Sequence, residues 1–353
     1  WGFTVGSPYT WWATNLVDNT FYGVSSTCRA VGTNCYIFVE DSLWGTKVNQ
    51  DAVNGVLNAF DNSTPANINK GIYQTVTEVY GNAPDVDSDP KIIILILNIQ
   101  DGFNPELGGG YVAGYFYAIN EYPQELLDDQ LPGYKSNESE VFYMDCNPAD
   151  LLSTAGLNQV MATTSHEFQH MVHWNYHGNP DINVNPQETF FNEGCSEISS
   201  YICGYELRSH DFFTDNPNTN RSLTAWSDNN TQVLIDYARA SRYFLYLYEQ
   251  FGTEFLGKFV QDGNVGKAGI NSALSNLSTP TARRYDDIFV DWSIANGLND
   301  KSVNPKWGFD EINLSIAEGY VKYNTDVNTT NLNVESYASQ YITYKGGTDL
   351  QFT

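Results

Sequence analysis

Four of the five histidines fall between positions 166 and 177, and the densest stretch reads His166-Glu167-Phe168-Gln169-His170. Histidines at i and i+4 of a helix project from one face, one turn apart. Both imidazoles can then reach a single zinc ion at about 2.0–2.1 Å. Glu167, one residue on, can address a water at a fourth coordination position. Zinc lowers the pKa of such a water toward about 7, and the carboxylate takes its proton as it attacks a carbonyl. Two ordinary surface histidines would give the same five letters. Met161, Phe168, Met171 and Val172, however, supply apolar positions around the same helix, which points to a long and buried one.

A catalytic zinc needs a third protein ligand. Glu188, Glu193 and Glu197 lie downstream. Glu193 and Glu197 are spaced i, i+4 in a stretch that opens a helical pattern, so they share a face. One can bind metal while the other accepts an imidazole N–H. Glu188, in a polar loop beside Pro186, is the weaker candidate. A third histidine is the rival. The metzincin arrangement needs Gly three residues and His six residues after the second histidine, and those positions hold His173 and Tyr176. His173 lies a turn further along and reads as a neighbour.

The elements that must position these groups are mixed. Residues 20–31 and 34–41 alternate in the strand manner, and helical patterns follow over 50–60 and 67–80. A strong strand covers 91–97. A Gly-rich loop leads into a second strand-like run over 111–119, and a third covers 141–144. From 157 to about 301 the pattern is mostly helical, with helices over 157–176, 192–204, 232–250, 253–261, 267–277 and 281–297. Residues 320–323, 340–344 and 350–353 read as strands. The expectation is an α+β fold: a mixed sheet with a catalytic helix, then a mostly helical subdomain, with small β-rich terminal segments. The boundaries expected are a β-rich N-terminal segment over 1–48, a catalytic domain over 49–301 and a β-rich C-terminal segment over 302–353, read as truncated.

HEFQH followed by Phe191-Asn192-Glu193-Gly194-Cys195-Ser196-Glu197 resembles the gluzincin metallopeptidases, whose third ligand is the Glu of an Asn-Glu motif on a second helix. The wider run is similar to the hyicolysin-like family. It comprises Asp85-Val86-Asp87-Ser88-Asp89 before a strand, Ala113-Gly114-Tyr115-Phe116, Ser136-Asn137-Glu138, HEFQHMV and NEGCSE, covering roughly residues 80–250. The resemblance implies a thermolysin-like core with His166, His170 and Glu193 as zinc ligands, Glu167 as base and Glu197 supporting a ligand imidazole. Ser165 stands where the family usually has Ala. The oxyanion needs a donor besides zinc, and gluzincins commonly use a Tyr or His from a later helix. Tyr237, Tyr243 and His210 are the candidates, with Tyr237 favoured because it opens its helix. Residues 111–119 could pair a substrate along a sheet edge. Asp85, Asp87 and Asp89 could ligate calcium, although the Gly and distal Glu of an EF-hand loop are absent.

The chain has 353 residues with a net charge of -25, from 17 Lys+Arg against 42 Asp+Glu. Such a surface repels phosphate backbones and anionic lipid, which argues against nucleic-acid and membrane-surface partners. The longest aliphatic run, Ile92–Leu97, is too short to span a bilayer. The start at Trp1, with no basic-then-apolar leader, reads as a processed or trimmed piece. Cys28 and Cys35 flank a turn-like stretch and could bridge a hairpin. Cys195 and Cys203 are about 12 Å apart along one helix, too far for a disulfide. The expected protein is a secreted or cell-surface monomeric zinc endopeptidase acting on protein or peptide. The alternatives are an aminopeptidase or glycoprotein-directed peptidase on the same core, or a surface binding protein with a silent zinc site.

Overall fold

The computed structural model describes residues 1–106, 110–178, 187–207, 213, 218–228, 232–310, 320–323 and 333–345. The fold is mixed α+β. Two compact units divide it, the first made of residues 1–187, 195–207 and 256–265, the second of 188–194, 208–255 and 266–353.

The first unit is built on strands β1 (Pro8–Asn15), β2 (Thr20–Val31), β3 (Cys35–Glu40), β4 (Ile92–Leu97), β5 (Gly114–Phe116) and β6 (Val141–Asp145). Their order is β1-β2-β3-β4-β6-β5. β3, β4 and β6 run parallel, and the flanking pairs β1–β2, β2–β3 and β6–β5 are antiparallel. Three of the six strands come from residues 1–48, and β3 pairs directly with β4.

β4 reads Ile-Ile-Ile-Leu-Ile-Leu and is buried at every position. A continuous apolar run is what a strand covered on both faces requires. One face packs Ile93 and Leu95 with Trp11, Cys28, Phe38 and Tyr143. On the other, Phe142 of β6 meets Phe60, which packs on Phe168 and is joined by Tyr73. These last rings belong to helices α1 (Gln50–Asp61), α4 (Thr154–His177) and α2 (Ile72–Tyr80). Asn49 caps α1 by accepting from the Ala52 amide at 2.9 Å. α2 begins at Ile72 rather than at Asn67, because a turn bridges Thr64 and Asn67 and Gly71 takes the N-cap position. α3 (Gln124–Gln130) lies between β5 and β6 in sequence.

The expected bridge between Cys28 and Cys35 is absent, and all five cysteines are free and buried. Cys28 lies opposite Phe38, so Cys35 is three positions, about 10 Å, further along the neighbouring strand. An odd offset also turns the two side chains to opposite faces: Cys28 joins the Trp11–Phe38 cluster and Cys35 does not. Burial raises the pKa of every thiol, which makes them inert packing groups.

α5 (Thr189–Ile202) starts among residues of the second unit and continues without a break into the first. The second unit also holds most of α6 (Gln232–Gln261), together with α7 (Gly266–Ser275), α8 (Tyr285–Leu298) and a parallel pair, β7 (Tyr320–Tyr323) with β8 (Ile342–Lys345). Gly252, at φ 70°, interrupts α6 between the two helices expected from sequence. Phe190, Tyr243, Phe244, Tyr285 and Trp292 form an aromatic core here. Asp236 is fully buried and is neutralised by Arg221 and Arg239 at 2.9 and 2.8 Å. The strand expected over 350–353 lies outside the described residues. Among the described residues no helix is long and apolar enough to cross a membrane.

Candidate metal centre

α4 begins where Ser153 accepts from the Gly156 amide at 3.1 Å. Its middle is buried nearly all round, with Phe168, Met171 and Val172 at 0% exposure. The apolar shell expected around the histidine pair is therefore present. At the far end the Tyr176 hydroxyl accepts from the Asn82 amide at 2.9 Å, tying α4 to the end of α2.

Small hydroxyl residues set the spacing of α4 and α5. Ser199 Oγ donates to the Ser165 carbonyl at 3.1 Å, and Ser200 Oγ donates to the Ala162 carbonyl at 2.8 Å. Ser165 and Ser200 also share a 3.0 Å hydrogen bond. All of these side chains are buried. Ser165, where Ala was anticipated, is one of the groups that joins the helices.

The histidines are held from behind. His166 Nδ1 lies 3.1 Å from Glu197 Oε1, and His170 Nδ1 lies 3.0 Å from Ser196 Oγ. Their Nε2 atoms face each other at 3.0 Å. Two ligands of a tetrahedral zinc at 2.0–2.1 Å are about 3.3 Å apart, so the pair is preset for one ion. Glu193 completes the set: a carboxylate oxygen and both imidazoles offer ligand atoms within 4.8 Å of one another. Two imidazoles and one carboxylate, with both outer nitrogens engaged, fit zinc in an open catalytic site.

Glu167 is 5% exposed, and its Oε2 accepts from the Phe116 amide of β5 at 2.9 Å. β5 can come this close because Gly114 has no side chain. A Cβ there would sit 2.8 Å from Thr163 Cγ2 and 3.2 Å from Glu167 Cγ. β5 is the edge of the sheet, shorter than the run expected over 111–119.

Other sequence candidates fall elsewhere. Glu188 is exposed and faces Gly266. Tyr237 is half-buried and packs edge-on against Trp226. Tyr243 is enclosed in the aromatic core at 0% exposure, and burial holds its hydroxyl pKa well above the usual value. His210 lies outside the described residues. Of the three aspartates, Asp85 and Asp87 gather with Glu140, whereas Asp89 takes the Tyr36 hydroxyl at 3.1 Å and the Trp1 amino group at 2.7 Å. Sequence reasoning missed Ser196 and the Phe116 amide. Ser196 directly precedes a candidate glutamate, but a serine inside a helix carries no signal of its own.

His173 is not among the metal-binding group. It is 1% exposed, near Phe259, and neither ring nitrogen has a hydrogen-bond partner. Burial, reinforced by His177 and His170, holds its pKa well below the usual 6.5. The unfolded chain therefore binds a proton below about pH 6.5 that the folded chain refuses, and stability present above that pH is lost as pH falls. Urea midpoints followed from pH 7 to pH 5 are expected to fall less steeply for His173→Leu than for the unaltered chain. Identical slopes would assign the acid sensitivity to other groups.

This centre has the composition of a zinc metallopeptidase site. The chain is similar to the neutral metalloprotease ShpI of Staphylococcus hyicus, with 29% identity over 270 residues. The match covers 74% of this chain and 55% of that protein, so the chain spans about half the length of this curated relative. No protein-family model matches the chain. The resemblance drawn from HEFQH and NEGCSE is upheld by this relative and by the His166, His170 and Glu193 cluster.

Proposed function

We propose that the chain is the catalytic part of a secreted zinc endopeptidase of the gluzincin type, with a thermolysin-like core. The observation that carries this reading is the convergence of two back-tethered imidazoles and the Glu193 carboxylate on one point, with Glu167 on the same helix. Zinc held by His166, His170 and Glu193 would polarise a substrate carbonyl and bring a water's pKa toward about 7.

Glu167 accepts the proton of the attacking water and passes it to the leaving amine nitrogen. The Phe116 amide keeps its carboxylate aimed while leaving the second oxygen for this transfer. Glu197 and Ser196 fix the rings of His166 and His170 with Nε2 forward. β5 offers an edge along which an extended peptide can pair main chain to main chain, beside the base. Tyr237 is the proposed oxyanion donor. Its partial exposure suits that role, whereas Tyr243 is sealed in the core.

Digestion of an unfolded protein, with and without a zinc chelator, tests the reading. Internal cuts that chelation abolishes are expected. Trimming of single N-terminal residues would make the chain an aminopeptidase, and no cleavage at all would favour a binding protein with a silent zinc site.

A further inference from the structure

A second group of acidic residues lies on the first unit, apart from the His166 centre. Asp85 and Asp87 come from the loop before β4, and Glu140 immediately precedes β6. Carboxylate oxygens of these three lie within 4.8 Å of one another. That is about the span between opposite ligands of a calcium ion, whose oxygen ligands sit at 2.3–2.6 Å.

The group is built rather than incidental. Glu140 is 1% exposed; its Oε1 accepts from the Val86 amide, while its Oε2 is buried with no hydrogen-bond partner. Asp87 is held by Ser139 Oγ at 2.7 Å and by the Asp89 amide at 2.8 Å. A fourth carboxylate, Glu121, is 4% exposed, and neither of its oxygens has a partner. The charges that act on it are those of Glu140 and Asp87. Among the described residues, no Lys, Arg or His side chain forms an ion pair with any of the four.

Buried carboxylates without partners are costly, and a cation or added protons relieve them. Without a cation the proton route is visible: burial and the neighbouring aspartates push Glu140 up to about 7. Asp85, Asp87 and Glu121 all line one open cleft of about 1410 Å³, so an ion has a path in. The donor set is all oxygen, which suits a hard cation. Convergence of several carboxylates favours calcium over magnesium, which keeps most of its waters.

We propose that Asp85, Asp87 and Glu140 bind a calcium ion, with Glu121 as the fourth acidic group serving that site. The site differs from the Asp85, Asp87 and Asp89 trio expected from sequence, because Glu140 replaces Asp89. It does not depend on the zinc reading.

The test is calorimetric titration of the zinc-loaded chain with calcium chloride, with thermal midpoints measured in calcium and in equimolar magnesium. One calcium-binding event is expected, with a midpoint raised by calcium more than by magnesium. Glu140→Gln keeps an acceptor for the Val86 amide and should weaken calcium binding at least tenfold without changing zinc content. Asp85→Asn, at an exposed position that leaves the fold in place, should do the same. An unaltered chain indifferent to calcium would overturn the proposal, and so would variants that bind calcium as tightly as the parent. A Glu140→Gln chain stabilised in calcium-free buffer, beside a parent that ignores calcium, would overturn it in favour of carboxyls held protonated.

Discussion

Replacing Glu167 by Gln is expected to cut peptide cleavage by about 10²–10⁴-fold while leaving zinc content and folding unchanged. That factor corresponds to about 3–5 kcal/mol of barrier. The amide oxygen of Gln can still accept from the Phe116 amide, so β5 and the side chain stay in place. What is lost is the ability to take the water's proton and return it to the leaving nitrogen. The proposed ligands are other residues, so metal analysis should read one zinc per chain in both proteins. A variant that cleaved at a rate near the parent's, and was still stopped by chelator, would require another base and would end the mechanism proposed here.

Replacing Glu193 by Ala is expected to abolish zinc retention and, with it, cleavage. Glu197→Gln, one turn further along α5, should behave differently. Its partner is the outer nitrogen of His166 rather than the metal point. Loss of such a supporting group costs about 10–100-fold in metal affinity or activity, not the whole site. Elemental analysis of both variants after dialysis separates the roles. Full zinc in Glu193→Ala, or none in Glu197→Gln, would reverse the two glutamates.

What could be read from the sequence follows the reach of each interaction. His166 and His170 are one turn apart on one helix, and so are Glu193 and Glu197, so helical geometry alone pairs them. Which imidazole each α5 residue serves depends on how α4 and α5 pack. Ser196 and Glu197 are adjacent in the chain yet support different histidines. Glu140 stands more than fifty positions from Asp85, and no local pattern connects them, whereas Asp89 continued the alternation and proved to be engaged elsewhere.

The sheet divides in the same way. The apolar run of β4 announced a strand covered on both faces. β1, reading Pro-Tyr-Thr-Trp-Trp-Ala-Thr-Asn, shows no clean alternation of its own, and its strand character is settled by pairing with β2. α3, reading Gln-Glu-Leu-Leu-Asp-Asp-Gln, is too short and too acidic to show an apolar stripe. The cysteine bridge failed because proximity in sequence says nothing about which face of a sheet a side chain takes.

The contact between Glu167 and the Phe116 amide also bears on the order in which the protein assembles. It joins positions 51 apart, against 26 for the Ser196 contact to His170. Loop closure alone distinguishes these by only about 0.6 kcal/mol, the cost of one doubling in length. The larger difference is what each closure presupposes. The tethered imidazoles need two helices that follow one another in the chain. The Glu167 contact needs β5 laid against β6, which itself needs the parallel pairings of β3, β4 and β6, the slow, non-local part of the fold. A chain emerging from synthesis can therefore bring His166, His170 and Glu193 together while Glu167, the proposed base, is still unaimed. Under the proposed function, the power to cut would arrive only with the finished sheet.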